Sequence, residues 1–327
     1  MNDLKNALNG YQPMLISPTK ALSYADKVDK FQASGMDILT ALFGEMPKPH
    51  MQGSVGIVPI VGVIGKGMSP IEKALGGCDV DDVAQAIHTF AKNKHCKTIM
   101  LDVSSPGGSV AGVPELASLV KAVSKHKKVV AFTDTECASA AYWVASQATS
   151  FLATPSAIVG SVGVYRVVPD TSKAYETQGI KMKVIKAGKY KAAGVAGTPL
   201  TKEQEDMMQD EVDDIHGSFK SDVKAVRIYA QDKDMEGQVF SGKHAATRGL
   251  ITGLADNKSD AVEKLDKEDS EKGDEDDEYT NKEVEEENLE ETKHLAKNKA
   301  QQDSEDEDDS DEEEEDDDSE DDSPKKK

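Results

Sequence analysis

The sequence predicts an α/β fold on a mainly parallel sheet, followed by a disordered acidic tail. Short runs rich in Val and Ile alternate along the chain with segments of helical spacing, the order that builds repeated ββα and βαβ units. The charge is split. Residues 256–327 carry 35 acidic against 11 basic side chains, a net of −24, and the rest of the chain is close to neutral at about +2. Between Asp303 and Asp322 nearly every residue is Asp, Glu or Ser. Such a segment buries too little apolar surface to offset the entropy of ordering.

The elements follow in order. Residues 1–50 read as a polar lead with one amphipathic helix, whose apolar members are Phe31, Met36, Ile38, Leu39, Leu42 and Phe43; Pro47 and Pro49 then break the chain. Val55–Ile64 reads as a strand. Asp81–Lys92 has helical spacing with Val83, Ala86, Ile87 and Phe90 on one face. Thr98–Val103 reads as a buried strand, Val113–Val123 as a helix and Val129–Thr133 as a strand. Ser139–Thr149 reads as a helix, and Ser150–Ala153 and Met182–Ile185 as strands. Thr201–Gln231 reads as a long helix capped by Thr201, with carboxylates in its first turns. In the tail, 281–300 has weak helical spacing. The expected organisation is a helical lead over 1–50, a globular body over 51–256 and a low-complexity tail over 257–327.

Three cysteines, Cys78, Cys96 and Cys137, have no CxxC spacing and predict reduced thiols rather than a disulfide framework. No apolar run reaches membrane-spanning length, and the first ten residues lack the pattern of a signal peptide. The expectation is a soluble intracellular protein with no membrane contact. An acidic tail repels nucleic acid, so no direct nucleic-acid partner is expected and basic surfaces are its natural partners.

Three segments carry candidate chemistry. Ser104-Ser105-Pro106-Gly107-Gly108-Ser109 follows a strand and precedes a helix. The glycines leave amide N–H groups unobstructed, either as an anion site or simply as a tight turn. Ser139, in Glu136-Cys137-Ala138-Ser139-Ala140-Ala141, stands among small residues at a helix start. It reads as a nucleophile that a substrate backbone can approach or as an ordinary N-cap. Lys186, Lys189 and Lys191 fall in a Gly- and Ala-rich stretch. A lysine acts as a base only where burial lowers its pKa, and a solvated basic loop is the plainer reading.

Together a hydroxyl nucleophile, an amine and a Gly-rich turn are the parts of a Ser–Lys hydrolase. In order and spacing they resemble the S49 peptidases, the signal-peptide-peptidase A family. The matching text is LDVSSPGGSV at 101–110, KKVVAFTDTECASAAYWVASQA at 127–148, ATPSAIVGSVGVY at 153–165, KVIKAGKYKAAG at 183–194 and FSGKHAATRGLITGLAD at 240–256. The resemblance implies a Clp-protease/crotonase fold, Ser139 as nucleophile and Lys191 as general base. It implies Gly108 and the Ala140 amide as the oxyanion hole, with Gly107 supporting the loop. It implies no metal or organic cofactor, and a homo-oligomer, since in this family nucleophile and base can come from neighbouring subunits. Cys137 departs from the small residue usual there and reads as packing. His88, His95, His126, His216 and His244 lie in no motif and read as surface or helix residues.

The lead, Pro13-Met14-Leu15-Ile16-Ser17-Pro18, looks like that of the phage capsid-assembly proteases of this family. That likeness implies scaffold, major capsid and portal proteins as substrates, and the interior of an immature capsid in the host cytoplasm as the place of action. The tail then stands where some members carry a scaffolding segment. Alternatives are a host cytosolic peptidase acting on signal peptides, and an inactive scaffold protein that keeps the fold. A crotonase-type acyl-CoA enzyme is a further reading, but it has no need of Ser139 and Lys191.

Overall fold

The computed structural model describes residues 13–16, 18–33 and 47–267. The chain divides into two compact units, Met1–Ser270 and Glu271–Lys327, and every described residue belongs to the first. The expected helix at 281–300, the acidic run and the lead's apolar residues beyond Ala33 lie outside the described residues.

Strand β1 (Met14–Ile16) and helix α1 (Pro18–Ala33) come first. β2 (His50–Gln52) pairs antiparallel with β3 (Val55–Val61). Then come β4 (Val63–Gly65), α2 (Pro70–Ala74), β5 (Gly77–Asp79) and α3 (Val80–Lys92). The next unit is β6 (Thr98–Ser104), β7 (Gly107–Ser109) and α4 (Val113–Val123). The third is β8 (Lys128–Thr133), β9 (Glu136–Ala138) and α5 (Ala140–Ser146). β10 (Ser150–Ala153), β11 (Ile158–Gly160), α6 (Ser172–Thr177) and α7 (Lys202–Val226) follow. β12 (Val239–Ser241), α8 (Gly242–Thr247), β13 (Gly253–Leu254) and a helix α9 at 258–267 complete it.

The result is the expected α/β fold with mainly parallel sheets. The large sheet has the order β13-β10-β8-β6-β3-β2, and every pair in it except β2–β3 is parallel. Short strands build two smaller sheets, β1-β7-β4-β5 and β12-β11-β9. Four times a strand of the large sheet is followed by a short strand of a smaller one and then a helix, so the repeating unit is ββα. Along β3, β6 and β8 alternate side chains enter different cores, because successive strand residues point to opposite faces. Val58, Ile99, Leu101 and Val129 join the main core under α3, α4 and α5. Ile57, Met100, Val130 and Phe132 face the other way, where Ala261, Val262 and Leu265 of α9 cover them. The packed body therefore runs on past Asp256 to residue 267.

Four local expectations change. The run Val55–Ile64 is two strands, broken at Gly62, whose φ is 95°; a Cβ there would sit 2.0 Å from the Gly76 carbonyl oxygen. The helix expected over Ser139–Thr149 is the shorter Ala140–Ser146. The long helix ends at Val226, not Gln231, because Arg227 leaves helical geometry at φ −95°, ψ 70°. Met182–Ile185 is not a strand: its β-branched residues have no neighbouring edge to pair with, and Ile185 is 91% exposed.

Candidate active site

Two ladders converge on Ser139. β9 pairs in parallel with β11, and Ser105, the residue after β6, forms a bridge with Cys137. The strand is thus held on both sides up to the residue before Ser139. The Ser139 N–H donates to the Gly160 carbonyl at 2.8 Å, and its own carbonyl accepts from the Trp143 N–H at 2.9 Å. Between strand and helix the chain reverses so sharply that Ser139 takes φ 53°, ψ −119°. A residue with a side chain held there costs on the order of 1–3 kcal/mol and persists only when its surroundings over-determine it.

Those surroundings are α5. All seven of its residues are buried, as expected of a helix apolar on every face. Trp143 stacks on Phe219 of α7 with ring centroids 4.5 Å apart and planes 5° from parallel. Its indole Nε1–H donates to Asp222 Oδ2 at 2.9 Å, and the Tyr142 hydroxyl donates to the Leu250 carbonyl at 2.7 Å. Ser139 stands at the N-cap position, yet its hydroxyl makes no capping bond. The residue is 1% exposed.

The Gly-rich turn lies against this serine. Gly107 has φ 98°, and a Cβ built on it would lie 3.0 Å from both the Ala138 carbonyl oxygen and the Ala140 amide nitrogen. The turn and the first amide of α5 therefore share one small space. Gly108 is more tightly held: its Cβ position lies 1.8 Å from the Ile64 carbonyl oxygen, so only glycine fits the β4–β7 pairing. Ser105, which carried no separate signal in the sequence, sets the turn. Its hydroxyl donates to the Gly62 carbonyl at 2.7 Å and accepts from the Gly107 N–H at 3.2 Å. Its place beside Gly-Gly was a cue; its partner at Gly62 was not legible before folding.

Lys191 is exposed. It follows the exposed stretch 180–190, and among the described residues no hydrogen bond or ion pair joins it to Ser139. Lys186 donates to the Lys189 carbonyl at 2.7 Å, and the Lys189 ammonium lies 5.2 Å from the Tyr190 ring centroid. Cys137 is fully buried, and burial, with the Glu136 charge beside it, pushes its thiol well above the usual range. That disfavours the thiolate a cysteine nucleophile needs. Of the histidines, His216 bonds the Met235 carbonyl at 2.8 Å.

Residues 121–272 match the model of Peptidase family S49. A protease-named protein of Methanocaldococcus jannaschii is 31% identical over 204 residues, covering 62% of this chain and 64% of that protein. Capsid assembly protease C of Escherichia phage lambda is 26% identical over 215 residues, covering 65% of this chain and 49% of the phage protein. The head-tail preconnector protein GP5 of Enterobacteria phage P21 is 25% identical over 252 residues, or 74% of this chain and 50% of the other. The chain thus spans from 49% to 64% of the length of these relatives. The Gly-Gly turn folds against Ser139, and the segment that carries that serine, within residues 121–272, is similar to peptidase family S49.

Proposed function

We propose that this chain is a serine endopeptidase in which Ser139 attacks a peptide carbonyl, Lys191 of a neighbouring copy is the general base, and the Gly108 and Ala140 amides form the oxyanion hole. The observation that carries the reading is the Ser139 turn: a buried serine at positive φ, its hydroxyl spared from capping, against a turn that excludes side chains. An oxyanion hole needs donors fixed in advance at the point where charge develops. Ser105 and the β4–β7 pairing supply that rigidity on one side, and buried α5 on the other. The step transfers the Ser139 proton to the lysine as the serine oxygen bonds to the carbonyl carbon. The amine half leaves with a proton, and water then resolves the acyl-enzyme.

The exposed stretch before Lys191 supports a base supplied in trans. Ile180, Met182, Val184, Ile185 and Tyr190 are each at least 40% exposed, an apolar run that a second copy would cover. The names of the two phage relatives, a capsid assembly protease and a head-tail preconnector protein, support a role in capsid assembly, and our reading extends it to scaffold, major capsid and portal proteins as substrates inside the immature capsid. The test is the intact mass of the protein over time, alone and with candidate capsid and scaffold proteins, beside Ser139→Ala and Lys191→Ala. Cleavage by the parent and by neither variant is expected, with at least a thousandfold loss of rate in each. Equal cleavage by all three removes the assignment.

A further inference from the structure

The short strand β1 pairs with β7, the strand of the Gly-Gly turn that lies against Ser139. Met14 exchanges both backbone bonds with Tyr165: its N–H donates to the Tyr165 carbonyl at 2.8 Å, and its carbonyl accepts from the Tyr165 N–H at 3.1 Å. Successive strand residues turn their N–H and C=O to opposite edges, so Leu15 faces β7. Its register partner there is Gly108. The Leu15 carbonyl oxygen and the Ala140 amide nitrogen lie 2.1 and 3.0 Å from one point, the Cβ position of Gly107. A peptide carbonyl of this chain thus lies beside the Gly107 turn, within about 5 Å of the Ala140 amide and on the residue paired with Gly108, held from both edges in extended form.

We infer that the slot between β7 and Tyr165 is an exchangeable site for an extended apolar peptide, and that Met14–Ile16 is its resting occupant. The inference rests on the peptidase reading for its consequence, which is that the unassembled protein blocks its own cleft. Binding by adding a strand to an open edge needs only backbone groups on the receiving side, and the paired glycines provide such an edge. The occupant is held by a three-residue ladder, and Met14 and Ile16 bury themselves in a small separate cluster with Ala21, Tyr24 and Val63. Two of those five residues, Ala21 and Tyr24, belong to α1, so part of the seat travels with the occupant. Leu15 enters the main core and marks the class of peptide the slot takes: apolar at three successive positions, with leucine at the carbonyl that reacts.

The test uses the full chain in a Ser139→Ala background, with a fluorescent peptide of residues 11–20 as probe. In one form Met14→Cys and Tyr165→Cys, which stand directly opposite each other, are oxidised to lock β1 in place. The native cysteines are all buried and stay out of this chemistry. In the other form Met14→Asp and Ile16→Asp unseat β1 by placing charges in its apolar seat. Probe binding at least tenfold tighter to the unseated form than to the locked form, with reduction of the lock restoring binding, is the expected result. Equal binding to both forms, or none to either, overturns the inference. Loss of cooperative unfolding on unseating overturns it too, because it marks β1 as a permanent strand. Turnover of the probe by the unseated form with Ser139 restored reports the peptidase reading separately.

Discussion

A serine that is 1% exposed, at positive φ, with no capping bond has its side chain placed by the backbone around it. What fixes that backbone is glycine on the facing turn. At Gly108 an added methyl would meet the Ile64 carbonyl, which is backbone and has nowhere to go. Gly108→Ala is therefore expected to destabilise the body by on the order of 4 kcal/mol, read as a large fall in Tm by calorimetry. Gly-Gly was legible in the sequence as an open turn; the Ile64 carbonyl that forbids any other residue became visible only when β4 lay beside it. Ser139 was singled out by its small neighbours, and the strain it carries was not, because φ is set by what the strand and helix on either side require.

At the scale of elements, α5 is held by α7 and the large sheet is closed by α9. Phe219 is fully buried against Trp143, so Phe219→Ala is expected to cost about 3–5 kcal/mol, measured by urea unfolding, and to lower any activity of Ser139 by loosening α5. α9 is tied down by Asp266, whose carboxylate accepts from the Ser54 N–H at 2.6 Å and the Ser54 hydroxyl at 2.8 Å. Those bonds favour the charged form and hold the Asp266 carboxyl below its ordinary value of 3.8. A lowered folded-state pKa contributes stability that is present above the unfolded value and disappears as pH falls through the folded one. The Tm gap between parent and Asp266→Asn is expected at neutral pH and should close below pH 3.8. A gap that persists there excludes titration of this carboxylate as its cause. The long helix was legible at its start, where Thr201 and Gln204 form the capping box, with donor–acceptor distances of 3.3 and 3.1 Å. Its end was not, because no glycine or proline marks Arg227.

At the scale of the whole molecule, Ser139 is buried and Lys191 follows an exposed stretch, and the proposal has a second copy supply the lysine. Mixing inactive Ser139→Ala with inactive Lys191→Ala is then expected to restore activity, to roughly a quarter of the parent level if subunits exchange at random in pairs of sites. No recovery on mixing, with both variants assembled as the parent is, places the base within the same chain. Among the described residues no helix is long and apolar enough to cross a membrane.

What the sequence by itself determined is local and periodic. Strands and helices such as Thr98–Ser104 and Val113–Val123 announce themselves through spacing, and Ser139 and Gly107-Gly108 through small residues that chemistry would require there. What only the tertiary structure decided is pairing. Met14–Ile16 became an extended strand because β7 and Tyr165 offer edges some 95 and 150 residues away, while Met182–Ile185, with a stronger strand composition, found none. The reason is physical: spacing is written along the chain, whereas a backbone hydrogen bond between strands depends on which edge folding brings alongside.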